Sequence, residues 1–336
     1  MQLNNILIFA ELKDQKINPV FYELLTKAKE LAEISCAKGG CLKISGLLLG
    51  SGLDAAGNEL KASGVDEVFL LDDERLAIYH IDYYCAAISH AVSKLDPDVV
   101  FFGATSIGEE LAPTMGVRLK TGVAAHCMDI KIKEDGKLAQ LVPAFGGKVV
   151  GEIFTPSTRP QIISVKPGIL SAAAQQTNPE CRVIPIDQKI LDGVASDIEA
   201  LSVTTEQSRG ISIDKAQFVV CAGYGISDVD SKEDLDQLAK LLNGAVGYTR
   251  PAIDAGLAKN EDNLIGTSGK SVRPKVYLGV GVSGSTHHIC GMKDSDLIIS
   301  INTDPNADLF QISDYKAVGD GAAVIKELVK IMSESE

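Results

Sequence analysis

The sequence predicts an α/β fold in two domains: an N-terminal Rossmann-like parallel sheet with an antiparallel extension, and a C-terminal doubly wound sheet. Three observations lead to this fold. The chain has 336 residues, enough for about two domains. Apolar residues make up 45% of it but aromatic residues only 5%, as is typical of parallel strands rich in Val, Ile and Leu. Strand-like and helix-like segments alternate along most of the chain, as in βαβ units.

The first domain begins with apolar strands that are separated by helical segments. The strand-like segments lie at residues 6–11, 43–50, 67–73 and 98–105, and the helical stripes span residues 20–34 and 80–95. Strands separated by helices of this length pair in parallel. Four more strand-like segments follow, at residues 123–132, 138–145, 148–155 and 161–168. Hairpin signals stand between some of them, at Asp135-Gly136 and Gly146-Gly147. We therefore expect an antiparallel extension at the end of this domain.

The second domain follows a polar segment at residues 202–210, which we interpret as the boundary. We expect the domains to span residues 1–205 and 206–336. A capped amphipathic helix is predicted at residues 231–244, with Ser231 as its N-cap. Strand-like segments lie at residues 216–225, 245–250, 275–284, 296–305 and 309–313. Glycines at the carboxyl ends of these short strands indicate a doubly wound, flavodoxin-like sheet with a ligand crevice at that edge.

Charge and cysteine content exclude several classes of function. The net charge of −13 argues against a nucleic-acid partner or an anionic membrane surface. The seven cysteines form no C-x-x-C pair and no metal-ligand spacing, which indicates reduced thiols and no metal site. We find no signal peptide before the first strand and no apolar run of about 18 residues. We therefore expect a cytoplasmic protein that does not insert into a membrane.

Glycines and polar side chains follow the strands of the second domain. Residues 279–284 also satisfy the pattern G-x-G-x-x-G, in which glycines let the backbone approach a phosphate. Because the carboxyl ends of parallel strands share one edge of the sheet, these groups should converge there. The candidate cofactor-binding residues are Thr249, Arg250, Gly266, Thr267, Ser268, Gly269, Gly281, Ser283, Gly284, Thr286, His287, His288, Asn302 and Asp320.

These residue types suit a cofactor that carries a pyrophosphate and a redox ring. Glycine and serine N–H groups bind phosphates, and Asn302 and Asp320 can bind ribityl or ribose hydroxyls. Arg250 supplies a permanent positive charge. The Ser268 hydroxyl can donate to a ring nitrogen, and either of the two adjacent histidines can donate to a ring carbonyl. Two neighbouring histidines cannot both face one core, so we expect at least one of them to meet the crevice.

An alternative uses the same glycine turn, from Gly279 to Gly284, in an NAD(P)-dependent oxidoreductase. Such an enzyme would also need a catalytic acid–base, for which His287 or His288 could serve. The dinucleotide pattern usually has an acidic residue about 20 positions further on. Asp304 has that spacing, but it precedes a proline and is typical of a turn. The residues alone leave this alternative open.

In their order along the chain, the motifs resemble those of the electron transfer flavoprotein alpha subunit family (ETF alpha). The match extends over nearly the whole chain, and it identifies the sequence as a member of that family. In the second domain the matching segments are GYTRPAIDAG (247–256), GTSGKSVRPKVY (266–277), GVSGSTHHICGM (281–292), SINTD (300–304) and DYKAVGD (314–320). In the first domain they are GATSIGEELAP (103–113), LKTG (119–122) and PAFGGKVVGEI (143–153).

The resemblance implies an electron carrier with FAD in its second domain and an ETF beta subunit as its heterodimer partner. It implies electron transfer from an acyl-CoA dehydrogenase or similar flavin dehydrogenase to a quinone reductase or to ferredoxin, with no catalytic residue in this chain. By position, Arg250 would lie beside the flavin ring, Ser268 at its N5 and His288 at its C2 carbonyl. Electron bifurcation among NADH, ferredoxin and an enoyl-CoA is a further possibility, which depends on a second FAD in the beta subunit.

Three positions depart from the family pattern. Ser268 replaces a threonine and keeps a hydroxyl, whereas His287 replaces a glutamine and turns a neutral amide into a titratable group. Tyr224 stands where the family usually has an arginine, so a positive charge is missing. We therefore expect a flavin potential that differs from that of the commonest members.

Overall fold

The computed structural model describes residues 3–37, 39–144, 149–173, 178–201, 203, 211–226, 229–258 and 261–334. Two compact units make up the chain, Met1–Val203 and Thr204–Glu336. The boundary that we expect between residues 205 and 206 lies outside the described residues, as does the hairpin signal at Gly146-Gly147. Both stay predictions. Among the described residues, no helix combines the length and the apolar character needed to cross a bilayer.

The first unit contains twelve strands and four α-helices among its described residues. The strands are β1 (Asn5–Ala10), β2 (Leu12–Lys13), β3 (Lys16–Ile17), β4 (Lys43–Gly50), β5 (Glu67–Asp72), β6 (Val99–Gly103), β7 (Val123–Cys127), β8 (Asp129–Ile132), β9 (Leu138–Ala144), β10 (Val149–Ile153), β11 (Gln161–Val165) and β12 (Arg182–Pro185). The helices are α1 (Val20–Ala37), α2 (Asp54–Ala62), α3 (Ile81–Leu95) and α4 (Ser106–Leu119). Short 3-10 turns lie at Glu74–Leu76 and Gln188–Leu191.

A seven-stranded parallel sheet forms the centre of this unit, in the order β12-β5-β4-β1-β6-β11-β7. Apolar side chains cover both of its faces, as a parallel sheet requires. The predicted antiparallel strands are present as a three-stranded sheet, β10-β9-β8. Two assignments were wrong: residues 123–127 and 161–165, which we grouped with those strands, form β7 and β11, and β11 runs parallel between β6 and β7. All five residues of β11 are buried, as a central strand requires.

The second unit contains five strands and four α-helices among its described residues. The strands are β13 (Phe218–Ala222), β14 (Ala245–Tyr248), β15 (Val276–Val280), β16 (Ile298–Asn302) and β17 (Tyr315–Val318). The helices are α5 (Val229–Leu241), α6 (Arg250–Asp254), α7 (Thr286–Ile289) and α8 (Gly321–Ser333), with 3-10 turns at Tyr224–Ile226 and Asp308–Ile312. All strands pair in parallel, in the order β14-β13-β15-β16-β17. This order confirms the doubly wound, flavodoxin-like sheet.

Three local predictions in this unit were wrong. Residues 309–313 do not form the last strand, because the N–H of Phe310 turns back to the carbonyl of Ala307 and makes a 3-10 turn. The strand predicted at residues 245–250 ends two residues early, at Tyr248. The reason is that Pro251 stands in the first turn of α6, where its fixed φ favours a helix start. Ser231 is not an N-cap, since α5 already begins at Val229.

The order of the strands also indicates where the crevice lies. The chain order reverses between β13 and β15, which lie side by side in the middle of the sheet. Helices α5 and α8 pack together on one face of the sheet, and a second apolar cluster covers the other face. Ligands of such sheets bind beyond the carboxyl ends of the strands at the reversal. The turns after β13 and β15 are therefore the centre of the candidate site.

Candidate functional site

Two glycine turns pack against each other where β13 and β15 end. The N–H of Gly223 donates to the carbonyl of Val280 at 2.8 Å, and the N–H of Gly225 donates to that of Gly281 at 3.2 Å. A Cβ atom at Gly223 would lie 2.0 Å from the carbonyl oxygen of Gly281, and Gly281 itself has a φ of +63°. Both positions therefore require glycine, because no side chain fits between the two turns.

The turn after β15 presents backbone donors. Ser283, Ser285 and Thr286 are exposed, and no described residue accepts a hydrogen bond from the N–H groups of residues 283–286. Gly284 is buried, and a Cβ there would lie 2.1 Å from the backbone nitrogen of Leu309. The glycines thus bring this turn close to other parts of the chain, while its N–H groups have no acceptor among the described residues and its hydroxyl-bearing residues are exposed. Such a run of donors suits an anionic phosphate.

A second turn, at residues 266–269, lies over α7. The N–H of Thr267 donates to the carbonyl of His287 at 2.9 Å, and the Thr267 hydroxyl is 3.0 Å from His287 Nδ1. Thr267, Ser268 and His287 are exposed, whereas Gly266 is buried. We call these two contacts between Thr267 and His287 the outer clasp. It leaves the Ser268 hydroxyl at the surface of the turn.

The two adjacent histidines have opposite surroundings. His288 is 5% exposed, and both of its ring nitrogens have partners inside the chain. Its Nδ1 is 3.1 Å from the carbonyl oxygen of Ile265, and its Nε2 is 2.7 Å from the Tyr277 hydroxyl. Burial lowers the pKa of His288 from 6.5 to about 4, so the ring is neutral at physiological pH. His287 is exposed, as we expected of at least one of the pair.

Thr249 and Arg250 follow β14, and the structure separates their roles. Thr249 is buried, and its N–H donates to the carbonyl of Ala222 at 3.0 Å. Arg250 is exposed and forms ion pairs with Asp254 at 3.0 Å and with Glu261 at 2.8 Å. The guanidinium is therefore held at the surface between two carboxylates, which offset part of its charge.

Asn302 and Asp320 stabilise the edge of the sheet. The Asn302 amide donates to the carbonyl of Val282 at 2.9 Å, and its oxygen accepts from the N–H of Asp304 at 3.0 Å. Asp320 caps α8 by accepting from the N–H of Ala322 at 3.0 Å, and its side chain is exposed. Asn302 thus joins the turns after β15 and β16, and Asp320 places a carboxylate beside the end of β17.

Sequence reasoning did not identify Tyr277, Asp254 and Glu261 as parts of this region. Tyr277 is fully buried and contacts His288, while Asp254 and Glu261 hold Arg250. One signal was present, because a tyrosine in an otherwise aliphatic central strand needs a partner for its hydroxyl. Tyr224, which we noted as a departure from the family pattern, is 67% exposed at the turn after β13.

The groups at this edge fit a flavin dinucleotide. The N–H groups of residues 283–286, which have no acceptor among the described residues, and the neighbouring hydroxyls match a pyrophosphate. Ser268 and His287 offer donors to a ring, and Arg250 offers a positive charge at the same sheet edge. When bound, FAD would supply the redox chemistry of the site, and this chain's residues bind and orient it.

In the first unit, the edge at the carboxyl ends of the strands carries different groups. Glu11 follows β1 and Thr105 follows β6, which are neighbours in the sheet at the point where its strand order reverses. Glu11 is buried and accepts hydrogen bonds from the Thr105 hydroxyl and, at 3.2 Å, from the Asn18 amide. Burial raises the pKa of the Glu11 carboxyl, and the two hydrogen bonds oppose that shift. A carboxyl group of the chain therefore occupies this position.

Comparisons with known proteins agree with the motifs. Residues 6–189 match the electron transfer flavoprotein domain, and residues 212–293 match the electron transfer flavoprotein FAD-binding domain. The electron transfer flavoprotein subunit alpha of Thermoanaerobacterium thermosaccharolyticum is 36% identical over 328 residues, which cover 97% of each chain.

Two further relatives have names that describe larger systems. Subunit LctC of the lactate dehydrogenase (NAD(+),ferredoxin) of Acetobacterium woodii is 32% identical over 98% of this chain and 77% of its own. The acryloyl-CoA reductase electron transfer subunit beta of Anaerotignum propionicum is 31% identical over 99% of this chain and 96% of its own.

Both units are matched in the family's order, and the second presents a donor set that suits a flavin dinucleotide. ETF alpha proteins pair with a beta subunit and exchange electrons with flavin dehydrogenases. The chain belongs to the electron transfer flavoprotein alpha subunit family, and its cofactor is FAD.

Proposed function

We propose that this chain, paired with its beta subunit, carries electrons between a flavin dehydrogenase and an acceptor within an electron-bifurcating system. The observation that carries the electron-carrier role is the open donor set at the carboxyl edge of the second unit, in the segment that matches the FAD-binding domain. Bifurcation is supported by two relatives, whose names mention NAD(+) and ferredoxin in one case and acryloyl-CoA reductase in the other. We also propose a cytoplasmic location, where its cysteines stay reduced.

We propose specific roles for the residues around the cofactor. The N–H groups of residues 283–286 bind the pyrophosphate. The Ser268 hydroxyl donates to the N5 side of the flavin ring, and Arg250 lies beside the ring. Asn302 and Asp320 bind hydroxyls of the ribityl chain or ribose. The supports are the exposure of Ser268 and Arg250 and the position of all these groups at one sheet edge.

The histidines share the carbonyl side of the ring in this proposal. His287 is exposed and has its Nδ1 in the outer clasp. His288 lies behind it, and its remaining exposed ring surface is small. We propose that His287, which replaces a neutral glutamine of the family, adds a ring N–H donor to the site.

Electron transfer requires FAD to be held with its ring near the surface and its phosphates fixed. The two packed glycine turns fix the backbone on which the phosphate donors stand. Arg250 and the ring donors then stabilise negative charge on the reduced cofactor, which raises its potential. No substrate bond is broken by this chain in the proposal, so it needs no acid–base residue.

The decisive experiment is co-expression of the chain with its beta subunit, followed by visible spectroscopy and a count of flavins per heterodimer. Two FAD molecules per heterodimer would support bifurcation. One FAD would contradict bifurcation and leave simple electron transfer. A colourless protein that binds NAD(H) and cannot be reconstituted with FAD would contradict the whole proposal and support an NAD(P)-dependent oxidoreductase.

A further inference from the structure

A buried chain of hydrogen bonds lies behind the turn at residues 266–269. Tyr277, on the central strand β15, is fully buried. Its hydroxyl is 2.7 Å from Nε2 of His288, and Nδ1 of His288 is 3.1 Å from the carbonyl oxygen of Ile265. These hydrogen bonds therefore connect the centre of the sheet, through α7, to Ile265, the residue that precedes Gly266. We call them the inner strut.

The surroundings allow only one arrangement of protons in the inner strut. A carbonyl oxygen can only accept, so the proton of His288 is on Nδ1 and points to Ile265. The ring is neutral, because burial without a charged partner lowers its pKa to about 4. Nε2 is then an acceptor, and the Tyr277 hydroxyl donates to it. The Cys221 sulfur also lies 3.9 Å from Nε2, and its S–H is a weaker hydrogen-bond donor than the Tyr277 hydroxyl.

The inner strut holds the peptide on which the turn begins. The N–H of Ile265 donates to the carbonyl of Tyr248 at 3.0 Å, and its carbonyl accepts from His288. Ile265 is thus fixed from two sides, between the end of β14 and α7. The outer clasp fixes the same turn two residues later, at Thr267. Ser268 follows directly, so both contacts decide where its hydroxyl lies.

We propose that Tyr277 is a positioning residue of the cofactor site, which acts through His288 and Ile265 to set the position of the Ser268 turn. The proposal rests on the proposed function, in which Ser268 contacts the flavin ring. It assigns to His288 a bridging role between the central strand and the turn. It also explains why a tyrosine stands in the middle of a buried aliphatic strand.

The test is Tyr277→Phe in the full chain, co-expressed with the beta subunit. Phenylalanine keeps the ring and removes only the hydroxyl that donates to His288. We expect the protein to fold and to release FAD roughly tenfold faster, as the loss of one buried hydrogen bond predicts. The midpoint potential should fall, because a looser Ser268 turn stabilises the reduced ring less. The matched control is Tyr315→Phe, since Tyr315 is 64% exposed in the same unit.

A second pair of variants separates positioning from general stability. In a His288→Leu background the inner strut is already broken, so Tyr277→Phe should add almost nothing to the rate of FAD release. Two fully additive effects would overturn the proposal. So would ¹⁵N spectra of histidine-labelled complex that place the His288 proton on Nε2 instead of Nδ1.

The outcomes also separate this proposal from the function on which it rests. Wild-type complex without FAD would contradict the proposed function. Wild-type complex with FAD, together with Tyr277→Phe complex of unchanged FAD release and unchanged potential, would contradict only the positioning role. If Tyr277→Phe complex fails to fold, Thr267→Val supplies the comparison, because it removes the hydroxyl contact of the outer clasp. Unchanged FAD release and potential there would contradict the dependence of the site on the Ser268 turn.

Discussion

In each of the two parallel sheets, the carboxyl ends of the strands lie along one edge, and the two edges carry different chemical groups. Glu11 places a buried carboxyl group at the edge of the first sheet, where the hydroxyl of Thr105 and the amide of Asn18 already bind it. The edge of the second sheet has exposed hydroxyls and N–H groups that find no acceptor among the described residues. Both sheets have a reversal of strand order, so the topology alone offers a ligand site in each.

The difference teaches that the groups directly after the strands, a side-chain carboxyl in one unit and mainly backbone N–H groups in the other, decide which edge takes an anionic cofactor. A buried carboxyl group repels a phosphate and uses the donors that would bind it. Free N–H groups and a nearby arginine attract one. The comparison explains why the fold of each unit says little about function until its edge is examined.

The largest effect should come from filling the space between the glycine turns of the second unit. Gly223→Val introduces side-chain atoms where a Cβ alone would lie 2.0 Å from the carbonyl oxygen of Gly281. We expect almost complete loss of bound FAD, measured by absorbance of the purified heterodimer. Gly319→Ala is the matched control, because a Cβ there meets nothing within 4 Å. Normal FAD content in Gly223→Val would show that the packed turns are not needed for the site.

Acidification should weaken the second unit through His288. The folded-state pKa is about 4 and the ordinary value is 6.5, so the unfolded chain binds the proton more readily between these values. Stability is therefore complete above about pH 6.5 and falls by about 3 kcal/mol as the pH drops to about 4. Urea unfolding at several pH values measures it. A His288→Leu variant with the same slope in this window would contradict the assignment.

The first unit should respond in the opposite direction, and more weakly. Burial raises the pKa of Glu11 above its ordinary value of 4.5, so folding takes up a proton there, and stability is lost as the pH rises through the folded-state pKa. We expect Glu11→Gln to lessen this loss and to leave FAD content unchanged. Denaturant unfolding and flavin absorbance check both results. A fall in FAD content would show that the edge of the first unit also serves the cofactor.

The smallest effect concerns the charge of Arg250. Glu261→Gln removes one of two carboxylates beside the guanidinium, so the site becomes more positive and the flavin potential should rise slightly. The exposed ion pair is worth less than about 1 kcal/mol, and the change in potential should be correspondingly small. Redox titration measures it, with Glu327→Gln on α8 as the control. An unchanged or lower potential would place Arg250 away from the ring.

Much of the second sheet could be predicted from the sequence because its central strands are buried runs that end in glycine. The fifth strand could not, since β17 has only four residues, all of them exposed, and gives no signal of a buried apolar run. Leu309 and Phe310 supplied such a signal nearby, but they are buried in a 3-10 turn. In the first unit, β11 was recognised as a strand, but its parallel pairing depends on distant β6 and β7.

The candidate site shows the same division between local and distant information. Its residues were found because they directly follow strands, and parallel strands share an edge. Their partners were not found. The contact of Tyr277 with His288 and that of Glu261 with Arg250 join residues eleven positions apart in each case, and no local pattern encodes either contact. The opposite surroundings of His287 and His288 likewise follow from packing, which adjacent identical letters cannot reveal.

The two glycines that flank Tyr224 have a consequence for engineering and for evolution. Gly223 and Gly225 both pack on Gly281, so the backbone on either side of position 224 is constrained. The tyrosine side chain is free of that constraint, being 67% exposed. Position 224 can therefore accept many side chains without cost to the turn. A set of variants there, charged, aromatic and small, offers a simple way to obtain a graded series of electron carriers from one scaffold.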